Sequence, residues 1–325
     1  MHPTLSDLLA AAHVVSLPMA QRFRGIDRRE ATLLRGPQGW TEFSPFVEYG
    51  HAEAAAWLAA AIDFGWKAPP EPLRGSIRVN ATLPAVSPED VAAILDRFPG
   101  CRTIKVKVAE PGQSLAEDEA RVAATRAYVG AAGRIRVDAN GAWSVDEAAR
   151  AIRVLAGYDL EYVEQPCATV GELAEIRRRV KHLGVPIAAD ESVRKADDPL
   201  AVARAGAADV LVIKAQPLGG IAAALRIVAE AHLPVVVSSA LDTSVGISMG
   251  AHLAAAIPAL DYDCGLGTAA LLAADVTDAP LLPVDGAIPV RRVEVSAELL
   301  NRFAASADRA DWWRARLIRC HRLLA

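Results

Sequence analysis

From Ser76 onward the chain alternates two kinds of run. Short stretches are apolar at every second position or wholly apolar and rich in Val and Ile. Between them lie Ala-rich stretches whose apolar residues recur at helical spacing. The first kind comprises SIRVNATL (76–83), TIKVKV (103–108), RIRVDAN (134–140), EYVEQP (161–166), PIAADES (186–192), DVLVIKAQ (209–216), PVVVSSA (234–240) and LDYDCGLG (260–267), eight strand candidates in all. The second kind carries helix punctuation. Pro88 follows Ser87 at a first helical position, Ser144 precedes Glu147 by three residues in a capping-box pattern, and Gly157 and Gly206 stand where runs end. Strands alternating with helices pair in parallel through right-handed crossovers. Eight such units predict an α/β barrel of the (β/α)8 type rather than an open sheet. Residues 1–75 and those beyond 285 fall outside the repeat, and ADWWRARLIRC (310–320) reads as an amphipathic helix. The expected organisation is a barrel over 76–284, covered by a second layer that 1–75 begin and 285–325 complete.

Polar residues collect where these strands end. Lys105 and Lys107 share a face at period two, as do Asp138 and Asn140. Glu164, then Asp190 with Glu191, then Lys214 close the next three candidates. Asp138 to Glu164 and Glu164 to Asp190 are both steps of 26 residues, and Lys214 follows after 24. Equal steps place these groups at equivalent points of successive units, and in a parallel barrel those points meet at one mouth. Any one Asp at a strand end is ordinarily a turn or cap residue, and a lone K-x-K an exposed edge; the repetition argues for a site. Three convergent carboxylates resist ionising together unless a cation joins them. All-oxygen ligation by Asp138, Glu164 and Asp190 suits Mg²⁺, with Mn²⁺ as the other candidate. Lys107 is the candidate base, with Lys105 beside it to lower its pKa, and Lys214 faces it from beyond the acids. Asn140 reads as support for a ligand or as a turn residue. Glu191 reads as a substitute ligand for Asp190 or as an ion-pair partner. His13, His232 and His252 lie away from the strand ends, so no histidine base is expected.

Composition narrows the partners. The 325 residues carry a net charge of −4 without a long basic run, which argues against nucleic acid. Cys101, Cys167, Cys264 and Cys320 are scattered, without metal-ligand or disulfide spacing, and suit a reducing cytoplasm. The apolar stretch Leu8 to Ala20 is broken by His13, Ser16 and Pro18 and is too short to span a membrane. A cytoplasmic protein is expected, as a monomer or a dimer.

The set K-V-K (105–107), D-A-N (138–140), V-E-Q-P (163–166), A-D-E-S (189–192) and I-K (213–214) resembles the enolase superfamily, in its branch with a lysine on each face of the site. The resemblance implies a modified TIM barrel, (β/α)7β, with an α+β capping domain, and a lysine base working on a Mg²⁺-stabilised enediolate. Within that branch RFRG (22–25), EFSPFVEY (42–49), SSALDTSVG (238–246) and CGLGT (264–268) resemble the o-succinylbenzoate synthase family of the compact actinobacterial type. That family implies a lyase of menaquinone biosynthesis, eliminating water from 2-succinyl-6-hydroxy-2,4-cyclohexadiene-1-carboxylate. Lys107 would take the proton and assist the hydroxyl on the same face, and Lys214 would stand as a fixed cation over the other. By the same resemblance Arg24 covers the site, while Ser238, Ser239, Gly265 and Gly267 contact substrate. Competing readings are an N-succinyl amino acid racemase, a dipeptide epimerase, whose D-x-D pattern Asp261-Tyr262-Asp263 fits, and a catalytically silent barrel that binds without reacting.

Overall fold

The computed structural model describes residues 2–194 and 198–324. Its strands are β1 (Ala12–Phe23), β2 (Ile26–Gly36), β3 (Gly39–Phe43), β4 (Ser76–Arg78), β5 (Ala81–Leu83), β6 (Thr103–Lys107), β7 (Arg134–Asp138), β8 (Leu160–Glu164), β9 (Ile187–Ala189), β10 (Val210–Ile213), β11 (Val235–Val237) and β12 (Ala287–Pro289). β1, β2 and β3 form an antiparallel meander backed by the helix His51–Trp66. The C-terminal helix Ala307–Arg322 lies against that helix and β1. Two main-chain bonds stitch the C-terminal segment to β1: Ser16 N–H to the Phe303 carbonyl at 2.8 Å and Ala305 N–H to that of Val14 at 3.0 Å. Trp313 is fully buried, edge-on to Phe43, and its indole N–H reaches Glu30 at 2.9 Å. An N-terminal capping domain thus stands apart from the barrel, with C-terminal residues packed into it.

The barrel follows the predicted units with two local departures. The first candidate strand splits: β4 turns outward to pair antiparallel with β12, and only β5 enters the barrel. From β5 to β11 the seven strands are parallel neighbours in chain order. The last candidate, 260–267, contributes single bridges rather than a strand, Cys264 to Val79 on one side and Gly265 to Ser238 on the other. Four main-chain bonds close the ring there: Cys264 N–H to Arg78 and Gly265 N–H to Val237, both at 2.8 Å, Asn80 N–H to Cys264 at 2.9 Å, and Ser239 N–H to Gly265 at 3.0 Å. Glycines weaken strand pairing and permit close approach. A Cβ on Gly265 would stand 2.4 Å from Ser238 Oγ, and one on Gly267 2.9 Å from the Asn80 carbonyl.

Period-two alternation sorts the strand residues. Outward-facing Val, Ile and Ala pack under the helices, while Tyr162, Ala188, Val210, Val212 and Val236 form a separate small cluster with Tyr262. Beside that cluster lies buried Arg136, bonded to Asn80 Oδ1 at 3.0 Å, the Asp263 carbonyl at 2.7 Å and Glu161 at 2.5 Å. Aromatic rings and this guanidinium pack together in the lower barrel. The crossover helices start where capping boxes dictate. Ser114 with Glu117 opens Leu115–Val129, Ser144 with Glu147 opens Val145–Leu155, and Thr169 with Glu172 opens Val170–Val180. The turns between strand end and helix are thereby fixed in length and direction.

Cap and barrel meet at a buried polar knot. Glu42 accepts from Thr243 Oγ1 and Ser44 Oγ, each at 2.5 Å, and from Gly246 N–H at 3.0 Å. Arg29 donates to the Leu241 carbonyl at 3.0 Å and to that of Ser44. Burial, reinforced by the nearby Asp242 carboxylate, pushes Glu42 up to about 7.

Two outcomes follow from these contacts. A Cβ on Gly36 would fall 2.1 Å from the Gly65 carbonyl of the backing helix. Gly36→Ala is expected to cost about 1–3 kcal/mol by forcing backbone to shift, read by urea denaturation. For Glu42, the unfolded carboxyl loses its proton near 4.5 and the folded one near 7, so the folded state binds more protons in between. Its contribution to stability therefore falls as pH rises across that window and is level above it. Glu42→Gln removes this slope: thermal melts should show the variant gaining on wild type from about pH 5 to about pH 8. An unchanged difference would contradict the shift.

Candidate active site

A cleft opens at the C-terminal ends of the strands. Lys105, Lys107, Asp138, Asn140, Asp190 and Lys214 all line it, from β6, β7 and the residues that follow β7, β9 and β10. Phe23, Arg24 and Phe46 close it from the cap. Glu164 lies in register with Asp138, buried beneath.

The parallel register explains the convergence. Lys107 pairs with Asp138 and Asp138 with Glu164, so neighbouring strands present a cation, an anion and an anion side by side. Lys107 Nζ bonds Asp138 Oδ2 at 2.5 Å and Asn140 Oδ1 at 2.7 Å. Lys105 Nζ lies 3.2 Å from the same Asp138 oxygen and 2.9 Å from Glu164 Oε1. Lys214 Nζ bonds Asp190 Oδ2 at 2.5 Å. The turn after β7 is set by Asp138 itself, whose Oδ1 accepts Asn140 N–H at 3.0 Å while Asn140 adopts φ of +47°. An acid at the end of a core strand thus both makes its turn and faces the lysines.

Electrostatics separates the three lysines. Burial would lower the Lys105 ammonium, but Glu164 and Asp138 more than offset that and hold it well above its usual range. Lys105 is a fixed cation sharing an anion with Lys107. Lys214 moves the other way: burial lowers it, aided by the nearby Arg194 and Lys105 cations, against the pull of Asp190. Burial would raise Asp138 and Asp190, yet Lys107 and Lys105 keep Asp138 ionised and Lys214 and Arg194 bring Asp190 down to about 2. Glu164 goes up to about 7 through burial and the neighbouring Asp138 carboxylate, with Lys105 opposing.

The spacing predicts one cluster of three carboxylates. The structure instead alternates carboxylates with ammonium groups, and among the described residues no three acid, His or Cys side chains are gathered as metal ligands. Each buried anion has taken the nearest cation, as a low-dielectric site demands. The donor set nevertheless fits a hard cation. All its atoms are carboxylate oxygens on consecutive strands, and Glu164 Oε2 is buried without a hydrogen-bond partner.

Other expectations resolve individually. Ser238 and Ser239 line the cleft, and Ser239 Oγ also reaches the Gly265 carbonyl at 3.0 Å and Thr268 Oγ1 at 2.7 Å. Gly265 and Gly267 do not line it; they serve the barrel's closure. Arg24 lines the cleft, 4.1 Å over the Phe46 ring and 3.4 Å from Glu48. Glu191 is an ion-pair partner, bonded to Arg194 at 2.7 Å and to Asn140 Nδ2 at 3.2 Å. The D-x-D segment is at the wrong end: Asp263 accepts from Arg78 at 2.8 Å and from Thr103 Oγ1 at 2.6 Å, and Thr103 begins β6. Cys167 is buried core, and His252 is buried edge-on to Phe64.

Sequence reasoning missed two residues. Gln165, at φ of +40°, accepts the Asp190 N–H at 3.0 Å and donates to Ser192 Oγ at 2.7 Å, tying the β8 turn to the β9 turn. Arg194 is buried against Asp190 and lines the cleft. Its one sequence signal was its place four residues after that acid.

Comparison with known proteins agrees with this geometry. Residues 90–294 match the family described as enolase C-terminal domain-like, and residues 14–65 match enolase N-terminal domain-like. The chain is 57% identical over 322 residues to an o-succinylbenzoate synthase of Mycobacterium marinum, covering 99% of this chain and 96% of that one. It is 58% identical over 300 residues to one of Thermobifida fusca, covering 91% and 92%. Among solved structures, a muconate lactonizing enzyme from Pseudomonas fluorescens superposes with a TM-score of 0.77 at 23% identity, over 90% of this chain and 98% of that one. The L-Ala-D/L-Glu epimerase from Bacillus subtilis gives 0.74 at 24%, over 88% and 96%. Those structures speak for the fold, and the much closer sequence relatives for the family. With relatives at 57–58% identity over nearly the whole of both chains, the chain belongs to the o-succinylbenzoate synthase family of the enolase superfamily.

Proposed function

We propose that the protein is an o-succinylbenzoate synthase, a lyase that removes water from 2-succinyl-6-hydroxy-2,4-cyclohexadiene-1-carboxylate in menaquinone biosynthesis, in the cytoplasm. The observation that carries the reading is the pair Lys107 and Lys214, which face one cleft from opposite sides. Counting the closing segment as an eighth strand, β6 and β10 stand second and sixth around the ring, half a turn apart.

A ring held between them has one lysine on each face. Lys107, neutral, takes the proton from the carbon bearing the carboxylate; the C–H electrons pass into the carboxylate to give an enediolate, then return to form the new ring double bond as the neighbouring C–O bond breaks. The proton on Lys107 then leaves with the hydroxyl as water, so the group ends neutral as it began. Asn140 Oδ1 and Asp138 orient the Lys107 nitrogen for both transfers. Lys214 stays put, offsetting negative charge on the ring from the far face. Arg24 and Phe46 exclude water from above.

Members of the superfamily generally use Mg²⁺, and here Asp138, Glu164 and Asp190 would hold it, with Mn²⁺ the other candidate. When bound, it would neutralise charge on the substrate carboxylate as a Lewis acid. A racemase reading shares the two lysines, but the close relatives are synthases. The dipeptide epimerase reading also lacks its D-x-D pattern at the mouth. No helix among the described residues is long and apolar enough to cross a membrane.

The test is loss of diene absorbance on adding substrate and Mg²⁺. Wild type should turn over, and Lys107→Ala should lose about 10³-fold or more in kcat. An inactive wild type would sink the reading. Metal binding has a separate readout. Mg²⁺ at roughly 100 times its Kd should stabilise the wild type by about 2.7 kcal/mol in thermal melts, and Glu164→Gln should lose most of that gain.

A further inference from the structure

Arg194 occupies a position that the proposed chemistry does not use. It is buried, and its guanidinium is spent on three partners in three directions. Nε donates to Asp190 Oδ1 at 3.0 Å, Nη2 to Glu191 Oε1 at 2.7 Å, and Nη1 to the Tyr49 hydroxyl of the cap at 3.0 Å. Both of the first two bonds lead to a lysine in one or two further steps. Asp190 gives its other oxygen to Lys214. Glu191 Oε1 also accepts from Asn140 Nδ2, and Asn140 turns its Oδ1 to Lys107.

We propose that Arg194 is a positioning residue for both active-site lysines, working through Asp190 on one side and through Glu191 and Asn140 on the other, and that Tyr49 ties this relay to the cap. The chemistry of each link fixes the next. A carboxylate only accepts, so Glu191 selects the amide nitrogen of Asn140 and leaves the amide oxygen for Lys107. A guanidinium holds two acceptors in a rigid fork, which a lysine cannot copy. Glu191 Oε2 is buried without a hydrogen-bond partner, so Arg194 is what holds this acid away from the base. Without Arg194, Glu191 would be a half-buried, uncompensated anion bonded to Lys107's own partner, Asn140, and would draw the Lys107 side chain to itself. Lys214, already the nearest counter-charge of Asp190, would lose the cation that shares that acid with it. Both lysines would then be held in the wrong place.

This inference rests on the synthase reading for its kinetic arm, so a second arm is independent of turnover. The variants are Arg194→Ala, Arg194→Lys and Tyr49→Phe. Arg194→Ala should lose about 10- to 100-fold in kcat, a loss typical of small displacements of reacting groups, with KM within about threefold. Added guanidinium should restore part of that kcat and ammonium should not. Arg194→Lys should lie nearer the Ala variant than wild type, and Tyr49→Phe should lose less than either. In the second arm, amidination of lysines by methyl acetimidate is followed by peptide mapping. Labelling of Lys107 and Lys214 should change several-fold in Arg194→Ala relative to wild type, with exposed Lys67 unchanged. If wild type does not turn over, the synthase reading fails while the labelling still decides the relay. Unchanged labelling at both lysines would overturn the proposal, as would a loss confined to KM or equal rescue by both cations. Should Arg194→Ala not fold, the same criteria apply to Arg194→Lys.

Discussion

Charge that is taken out of water must meet charge of the opposite sign, and the upper half of this barrel is organised by that demand. Lys105, Asp138, Glu164, Asp190, Arg194 and Lys214 are all buried. Removing one member of such a set leaves an uncompensated charge, which costs far more than the pair itself contributes. Parallel register makes the pairing possible, because it delivers cations from β6 and the end of β10 to anions from the strands between them. The lower half solves the same problem once, with Arg136 tied to Asn80, Glu161 and the Asp263 carbonyl.

Where ladders end, arginine takes over. Irregular backbone leaves carbonyls that still require donors. Arg29 serves Leu241 and Ser44, Arg316 serves Phe46 at 2.9 Å and Tyr49 at 2.7 Å, and Arg74 serves Ala254 at 2.8 Å and Ile257 at 2.7 Å. The segment 42–49 is held this way from both sides. It reaches the barrel through Glu42 near the end of β3, the cleft through Phe46 and Arg194 through Tyr49, and beyond Phe43 it joins cap to mouth without regular structure of its own.

The barrel was legible because period-two and helical patterns alternate with few interruptions, and because the acids recur at almost constant steps. Splitting of 76–83 was not legible: nothing local distinguishes Arg78 from Leu83, and the outward turn depends on a partner strand at 287–289. The short eighth strand was hinted at by Gly265 and Gly267, which read as substrate contacts although their small size serves backbone approach. The lysines and acids were readable from position alone. Their pairing was not, since spacing locates a carboxylate but does not say which cation it will face. Gln165 and Arg194 escaped for a related reason. Their roles lie in bonds between turns of different units, at positions that carry no periodic signal.

The ring closure divides the barrel into two unequal arcs. From β6 to the residues after β10 the strands are continuously laddered, and every candidate proton-handling or ligating group sits on that arc. Between β11 and β5 the wall is one two-residue segment with bridges on either side, and the elements around this seam present Ser238 and Ser239 after β11, Thr82 on β5 and Thr268 to the cleft. Charged and hydroxyl-bearing linings of the cleft therefore sit on physically separable parts of one ring. The hydroxyl-bearing seam can change while the charged arc, with its interlocked pairs, is left as it stands.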